Sequence, residues 1–296
     1  GATAWWHVRE LSVRGYAEVL RELPRLLRLR GALRARLLAA HPAVVVGVDS
    51  PDFNLRLEMQ LRAAGVPTVH YVSPSIWAWR PQRIEKIRRA ADRVLLVFPF
   101  EQKIYDDAGI AATYVGHPLA SSIPQQADAA SARARLGLPV ADPVVALLPG
   151  SRRAEVEHIG APFIEAAALM ARREPRLRFV LPVAEPRLRP LLAPALAAAG
   201  AVAERISLYD GRSSDCLEAA DGVLVASGTA TLEAALFGKP MVIAYRMPTI
   251  SYWIMRQMGT LTFVGLPNIL AGEGLVPELL QHEATPQRLG DALLTM

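Results

Sequence analysis

Residues 44–83 read VVVGVDSPDFNLRLEMQLRAAGVPTVHYVSPSIWAWRPQR. The opening run, Val44 to Val48, is continuous, apolar and too short for most helices, which predicts a buried parallel strand. It stops at Asp49. Ser50 is then placed to cap a helix, and Pro51 takes the first helical position, where a missing N–H costs nothing. Leu55, Leu57 and Leu61 fall inside that helix, and Gly65 is placed to end it. A second strand is expected from Thr68 to Val72. The whole is a strand–helix–strand unit, and in such units ligands gather at the carboxyl ends of the strands. Asp49 stands at one such end and the SPSIWAWRPQR segment at the next.

The same alternation extends outward. Upstream, Val13 to Ala40 is arginine-rich, with Leu20, Leu23 and Leu27 at helical spacing, Val19 and Leu26 beside them, and Pro24 expected to kink or restart the helix. Two readings stand: a core-facing helix with a solvated basic face, or an interfacial helix docking on anionic lipid. Downstream, strands are expected at Arg93–Phe98 and Thr113–Val115, with a helix at Pro99–Asp107 between them. Residues 124–142, rich in Ala, Gln and Asp, read as an inter-domain connection with one short helix, which sets the domains at 1–123 and 124–296. A second series begins at Pro143. It has strands at VVALLP, Leu177–Pro182, Ile206–Tyr209, Gly222–Ala226 and MVIAYR, with helices between them, and then an irregular LPNILAG segment. The fold class expected is α/β, two doubly wound domains facing each other across a cleft. Such a domain normally opens with a strand and a Gly-rich turn. Neither is seen at the start, and the chain stops in a helical pattern, so material is expected to be missing from both ends.

Composition narrows the chemistry. With 296 residues, 52% hydrophobic and 21% charged, the chain has enough apolar surface for two globular cores. No apolar run is long enough to span a bilayer, and GATAWWHVRE lacks the layout of a secretory signal. The single cysteine, Cys216, cannot form an internal disulfide, which suits a reducing cytosol. A formal charge of +5, carried mostly by arginine, points to anionic partners. No nucleic-acid motif is present, so phosphate or a membrane surface is the better match.

Two strand-to-helix turns could bind anions. In LPGSRR, Gly150 permits close backbone approach, Ser151 can donate a hydrogen bond, and Arg152 offers a planar fork for phosphate. The alternative is an ordinary turn with a surface arginine. No Walker lysine follows, which excludes a P-loop NTPase. In SGTATLE, Ser227, Gly228 and Thr229 precede a helix whose first turn exposes N–H groups and a positive dipole end. Glu233 just inside that helix either complements the dipole or accepts ribose hydroxyls. Neither turn is a GxGxxG, so NAD is not expected. Asp49 is the general-base candidate, while Asp52 in the helix's first turn is read as structural. His70 and His117 are read as packed strand-end histidines. Trp77 and Trp79 are either core or the lining of a sugar or acyl site. No spacing suggests zinc and no acidic pair suggests Mg²⁺.

Taken together, VDSPDFN, HYVSPSIWAWR, FPFE, VGHPLA, LLPGSR, ASGTATLEAAL, MVIAYR and LPNILAG, in that order over almost the whole chain, resemble the lipid-A-disaccharide synthases. The resemblance implies a GT-B glycosyltransferase with two facing Rossmann-like domains, the first for the acceptor and membrane side, the second for the UDP-sugar. It implies transfer of 2,3-diacylglucosamine from its UDP derivative to 2,3-diacylglucosamine 1-phosphate, with inversion, giving a lipid A disaccharide phosphate and UDP. It implies no cofactor and no metal, a peripheral position on the cytoplasmic face of the inner membrane through Val13–Arg36, and a homodimer in the complete protein. Asp49 then matches the family's catalytic base and Arg152 a donor-phosphate or active-site arginine. Gly150 and Ser151 flank that arginine, and Ser227, Gly228, Thr229 and Glu233 fall in the nucleotide-binding segment. Asn268 of LPN matches a functionally important asparagine. Two other outcomes stay open: a UDP-sugar 2-epimerase of similar fold, and an inactive membrane-associated nucleotide-binding fragment.

Overall fold

A strand covered on both faces must be apolar along its length, whereas an edge strand need not be. The computed structural model shows both kinds, in two parallel sheets. It describes residues 3–6, 16–78, 80–124, 126–248 and 262–296, with side chains of the first helix described from residue 22. The chain divides into two units, Gly1–Gly116 and His117–Met296. Residues 117–123 therefore belong with the second unit rather than the first. The reason is packing: Leu119 and Ile123 lie in the second unit's core.

The first unit runs α1 (Tyr16–Ala40), β1 (Val45–Val48), α2 (Pro51–Arg62), β2 (Thr68–Tyr71), α3 (Arg83–Ala90), β3 (Arg93–Leu96), α4 (Glu101–Asp107) and β4 (Ala112–Tyr114). Its strands are ordered β1-β2-β3-β4, all parallel. Leu55, Ile87, Val94, Leu96 and Tyr105 are fully buried and form its core. Two expectations are corrected here and a third is narrowed. Among the described residues strand β1 stands at the edge of its sheet and is not buried along its length: Val46 and Val48 are 50% and 57% exposed, and only Gly47 is buried. Helix α1 carries Pro24 inside one element, which removes only the restart reading. Ser50 does not cap α2 with its side chain, because its backbone is left-handed (φ 45°, ψ 55°).

The second unit contains α5 (Pro118–Ser122), α6 (Ala129–Leu136), β5 (Val144–Leu148), α7 (Arg153–Arg173), β6 (Arg178–Val183), α8 (Arg189–Ala198), β7 (Ile206–Asp210), α9 (Ser213–Ala219), β8 (Gly222–Ala226), α10 (Thr229–Leu236), β9 (Met241–Tyr245), α11 (Leu266–Ala271), β10 (Glu278–Leu280) and α12 (Pro286–Leu294). LPNILAG is thus helical rather than irregular. The strand order is β10-β9-β8-β5-β6-β7. From β5 the chain builds outward through β6 and β7, then returns to add β8, β9 and β10 on the other side. The order reverses between β5 and β8, which is where open α/β sheets hold ligands.

Strands β5 and β8 are buried at every position, and their alternating side chains serve two cores. Val145 and Leu147 pack with Ile159, Phe163 and Met170 of α7 and Leu289 of α12. Val144, Ala146 and Leu148 pack with Ala132 of α6, Leu217 of α9 and Ala234 of α10. Helices thus cover both faces, and the loops at the carboxyl end of the sheet are left to make a site.

Candidate functional site

A cavity of ≈ 340 Å³ opens at the carboxyl ends of β5, β6 and β8. That is the size class of small-molecule sites, roughly 300–1,000 Å³. Gly150, Ser151, Arg152 and Glu155 form one wall, Ser227, Gly228, Thr229 and Glu233 another, and Val183, Ala184 and Gly211 a third. The two anion-binding turns expected from the sequence are therefore brought to one cavity.

The LPGSRR turn differs in detail from its expected form. Glu155 Oε2 accepts from the backbone N–H groups of Ser151 (3.0 Å) and Arg152 (3.1 Å), and its Oε1 accepts from Arg152 Nη1 (2.8 Å). The chain's own carboxylate thus occupies two backbone N–H groups of a turn expected to bind an anion. Gly150, with φ at 107°, makes room for this same carboxylate: a Cβ there would lie 2.4 Å from Glu155 Oε2. The Arg152 side chain remains 69% exposed, and Nη1 carries two of its five N–H donors. The rest of its fork can serve the cavity. Burial, and then the Glu155 charge, push the Tyr245 phenol up. Glu155 was missed from the sequence, although a glutamate at the third helical position is the mark of a capping box.

The SGT turn leads into α10, with Gly228 at its N-cap and Thr229 as its first residue rather than preceding it. Gly228 sits at φ 149°, and its carbonyl accepts from the Thr231 hydroxyl at 2.8 Å. The Ser227 hydroxyl donates to the Val264 carbonyl (2.8 Å), so it braces the loop. Thr229 is exposed at the start of α10. Glu233 Oε1 accepts from the Ser214 hydroxyl at 2.6 Å, which leaves Oε2 for a ligand.

Asn268 does not line the cavity. It is 1% exposed, and its amide is spent on the Val276 N–H, the Val276 carbonyl and Glu278 Oε1. Glu278 also accepts from the N–H groups of Val264 and Gly265. Asn268 therefore secures the loop that Ser227 leans on, with its side-chain amide bonded to Val276 and Glu278.

In the first unit, Asp49 is exposed just beyond β1. Asp49, Ser50 and Val72 have φ of 49°, 45° and 73° at the carboxyl ends of β1 and β2. Left-handed backbone at non-glycine residues is rare, and for β-branched valine it is an outlier. Such strain clusters at functional sites. Among the described residues the Asp49 carboxylate has no hydrogen-bond partner. Asp52 pairs with Arg83 at 2.8 Å, in keeping with its structural reading.

Of the two histidines singled out from the sequence, His70 is packed and His117 is partly buried. His70 is fully buried, with Nδ1 2.8 Å from Glu58 Oε1. His117 Nδ1 accepts from the Leu119 N–H, and partial burial lowers its pKa. Trp77 meets Phe98 and Phe100 edge-on at 6.4 and 5.2 Å, while Trp79 lies outside the described residues. No group of three or more His, Cys, Asp or Glu among the described residues is placed to hold a metal.

These motifs have known counterparts. The family model for lipid-A-disaccharide synthetase matches residues 1–296. The chain belongs to the lipid-A-disaccharide synthetase family. It is 55% identical to the lipid-A-disaccharide synthase of Burkholderia thailandensis over 99% of this chain and 75% of the relative. Membership makes it a glycosyltransferase of lipid A biosynthesis. Its fold is shared with solved structures of low identity. A UDP-GlcNAc 2-epimerase of Methanocaldococcus jannaschii, in complex with UDP-GlcNAc and UDP, matches at TM-score 0.59 and 14% identity, over 92% of this chain and 73% of that one. A sucrose-phosphate synthase of Thermosynechococcus elongatus matches at 0.55 and 16%, over 92% and 68%. Each likeness is one of fold: two Rossmann-like units, the parts of a GT-B enzyme.

Proposed function

We propose that this chain transfers 2,3-diacylglucosamine from UDP-2,3-diacylglucosamine to 2,3-diacylglucosamine 1-phosphate, with inversion at the anomeric carbon. The observation that carries this reading is the cavity at the β5/β8 reversal, walled by Arg152 on one side and Glu233 on the other. A nucleoside diphosphate fits that chemistry. Glu233 accepts from the ribose hydroxyls, and Arg152 with the α10 N-terminus takes up the charge that grows on the leaving pyrophosphate. No metal and no cofactor is invoked. Asp49 acts as general base: it removes the proton of the acceptor 6-hydroxyl as that oxygen attacks the anomeric carbon, and the bond to UDP breaks on the opposite face. One displacement of this geometry inverts the centre. The lipid substrates place the enzyme at a membrane, the cytoplasmic face of the inner membrane. Helix α1, with Leu23 and Leu27 exposed, is the docking element.

The test is UDP release from the diacylated donor in detergent micelles, with and without the lipid monosaccharide phosphate. Acceptor-dependent release, with a disaccharide product of inverted linkage, is the expected result. General-base help is worth roughly 10²–10⁴-fold, so Asp49→Asn should lose about a hundredfold or more in rate. Near-normal turnover by that variant would remove Asp49 from the mechanism, and acceptor-independent conversion of the donor would remove the transferase assignment.

A further inference from the structure

Strand β1 hands over to α2 through two consecutive left-handed residues, Asp49 and Ser50, neither of them glycine. The backbone of that turn is held on both sides. The Asp49 N–H donates to the Tyr71 carbonyl of β2 at 2.8 Å. From α2, Asn54 Nδ2 donates to the carbonyls of Val48 (3.0 Å) and Asp49 (2.8 Å). Carbonyl oxygens only accept, so two of them at one side-chain terminus require the NH₂ group, with its two hydrogens, to face them. Asn54 is half-buried beside Gly47. Its Cβ lies 3.3 Å from where a Cβ on Gly47 would stand, and one turn on Glu58 is anchored to buried His70.

We infer that Asn54 is a positioning residue for catalysis: it fixes the Val48–Asp49 backbone so that the Asp49 carboxylate, which it does not touch, is presented from a rigid Cα. The inference rests on the reading of Asp49 as the base. Asp49 has both main-chain polar groups tied down while its carboxylate stays uncommitted, which is what a base awaiting a substrate proton requires. An amide is suited to the task because it holds two successive carbonyls without adding a charge beside the carboxylate.

The test is a double-mutant cycle on acceptor-dependent UDP release by the full chain: wild type, Asn54→Ala, Asp49→Asn and the pair. Calorimetric UDP affinity and thermal melting are measured for each. Asn54→Leu serves as a second single variant, of similar shape but without donors, should Asn54→Ala fold poorly. Asn54→Ala is expected to lose about tenfold or more in kcat, with UDP affinity within twofold of wild type. In the Asp49→Asn background the same change should cost less than about twofold, because the group it positions is gone. A similar loss in both backgrounds would show a merely structural role and overturn the inference, as would wild-type kcat in both Asn54 variants. Full activity of Asp49→Asn alone would refute the base assignment, and the positioning role with it.

Discussion

Glu155 and Arg152 form a closed pair at the mouth of the β5–α7 turn: Oε1 accepts from Arg152 Nη1 at 2.8 Å while Oε2 accepts from the Arg152 backbone N–H at 3.1 Å. The two partners nevertheless differ in what they do. Arg152 is 69% exposed at the cavity and Glu155 only 11%. An exposed ion pair contributes little to stability, about 0–1 kcal/mol, whereas loss of a cap that satisfies two amides costs about 1–2 kcal/mol. Arg152→Ala should therefore melt close to wild type while losing about a hundredfold or more in turnover. Glu155→Ala should show the clear drop in melting temperature. Thermal melts beside UDP-release assays check both, and a reversed pattern would exchange their roles.

The ribose contact proposed for Glu233 can be tested by binding. The Ser214 hydroxyl donates to one carboxylate oxygen, and Glu233 lines the cavity. A hydrogen bond to a charged group is worth about 1.5–3 kcal/mol, so Glu233→Gln should weaken UDP by roughly tenfold or more. Binding of 2′,3′-dideoxy-UDP should be weak in wild type and unchanged by the substitution. Titration calorimetry with the two nucleotides gives the comparison, and equal loss on both would assign Glu233 to the helix alone.

Gly47 is required by its neighbour rather than by its backbone angle. A Cβ there would stand 1.8 Å from Glu58 Oε1, and that oxygen is pinned by buried His70. Overpacking of this kind costs about 1–3 kcal/mol or more. Gly47→Ala should melt well below wild type, while Gly31→Ala, where an added Cβ meets nothing within 4 Å, should not.

Cys216 is fully buried in α9, and burial pushes its thiol up to about 12. A thiol reacts as the thiolate, so a disulfide reagent at pH 8 should leave the folded protein unlabelled and react once denaturant is added. Rapid labelling of native protein would show that α9 opens.

Helix α1 offers a direct test of membrane docking. Leu23 and Leu27 are 41% and 42% exposed, although α1 also packs against α2. Replacing both with Ser should reduce co-sedimentation with anionic vesicles and leave the melting temperature within about two degrees, since surface changes typically fall within ±0.5 kcal/mol. Undiminished sedimentation would place the docking surface elsewhere.

Much of the architecture could be read from local pattern. The apolar runs at 44–48, 144–148 and 222–226 announced parallel strands, and small residues with hydroxyls after two of them announced the walls of one cavity. Such signals are carried by neighbours in sequence: a continuous apolar run reports burial, and a glycine or serine before a helix reports a turn. Strand β10 escaped because three residues, one of them buried, carry no period.

What the sequence determined by itself was the order of elements, the two α/β units, the positions of the two turns, and, through its motifs, the family. Tertiary structure alone decided what each polar side chain faces. Asn268 lies in a recognisable motif but is consumed by Val276 and Glu278. Gly150 accommodates Glu155, and among the described residues Val46 and Val48 of β1 are left exposed. Hydrogen bonds and edges are set by residues distant in the chain. A one-dimensional pattern records where the backbone turns, but a hydrogen-bond partner exists only once folding has brought the second group to within about 3 Å.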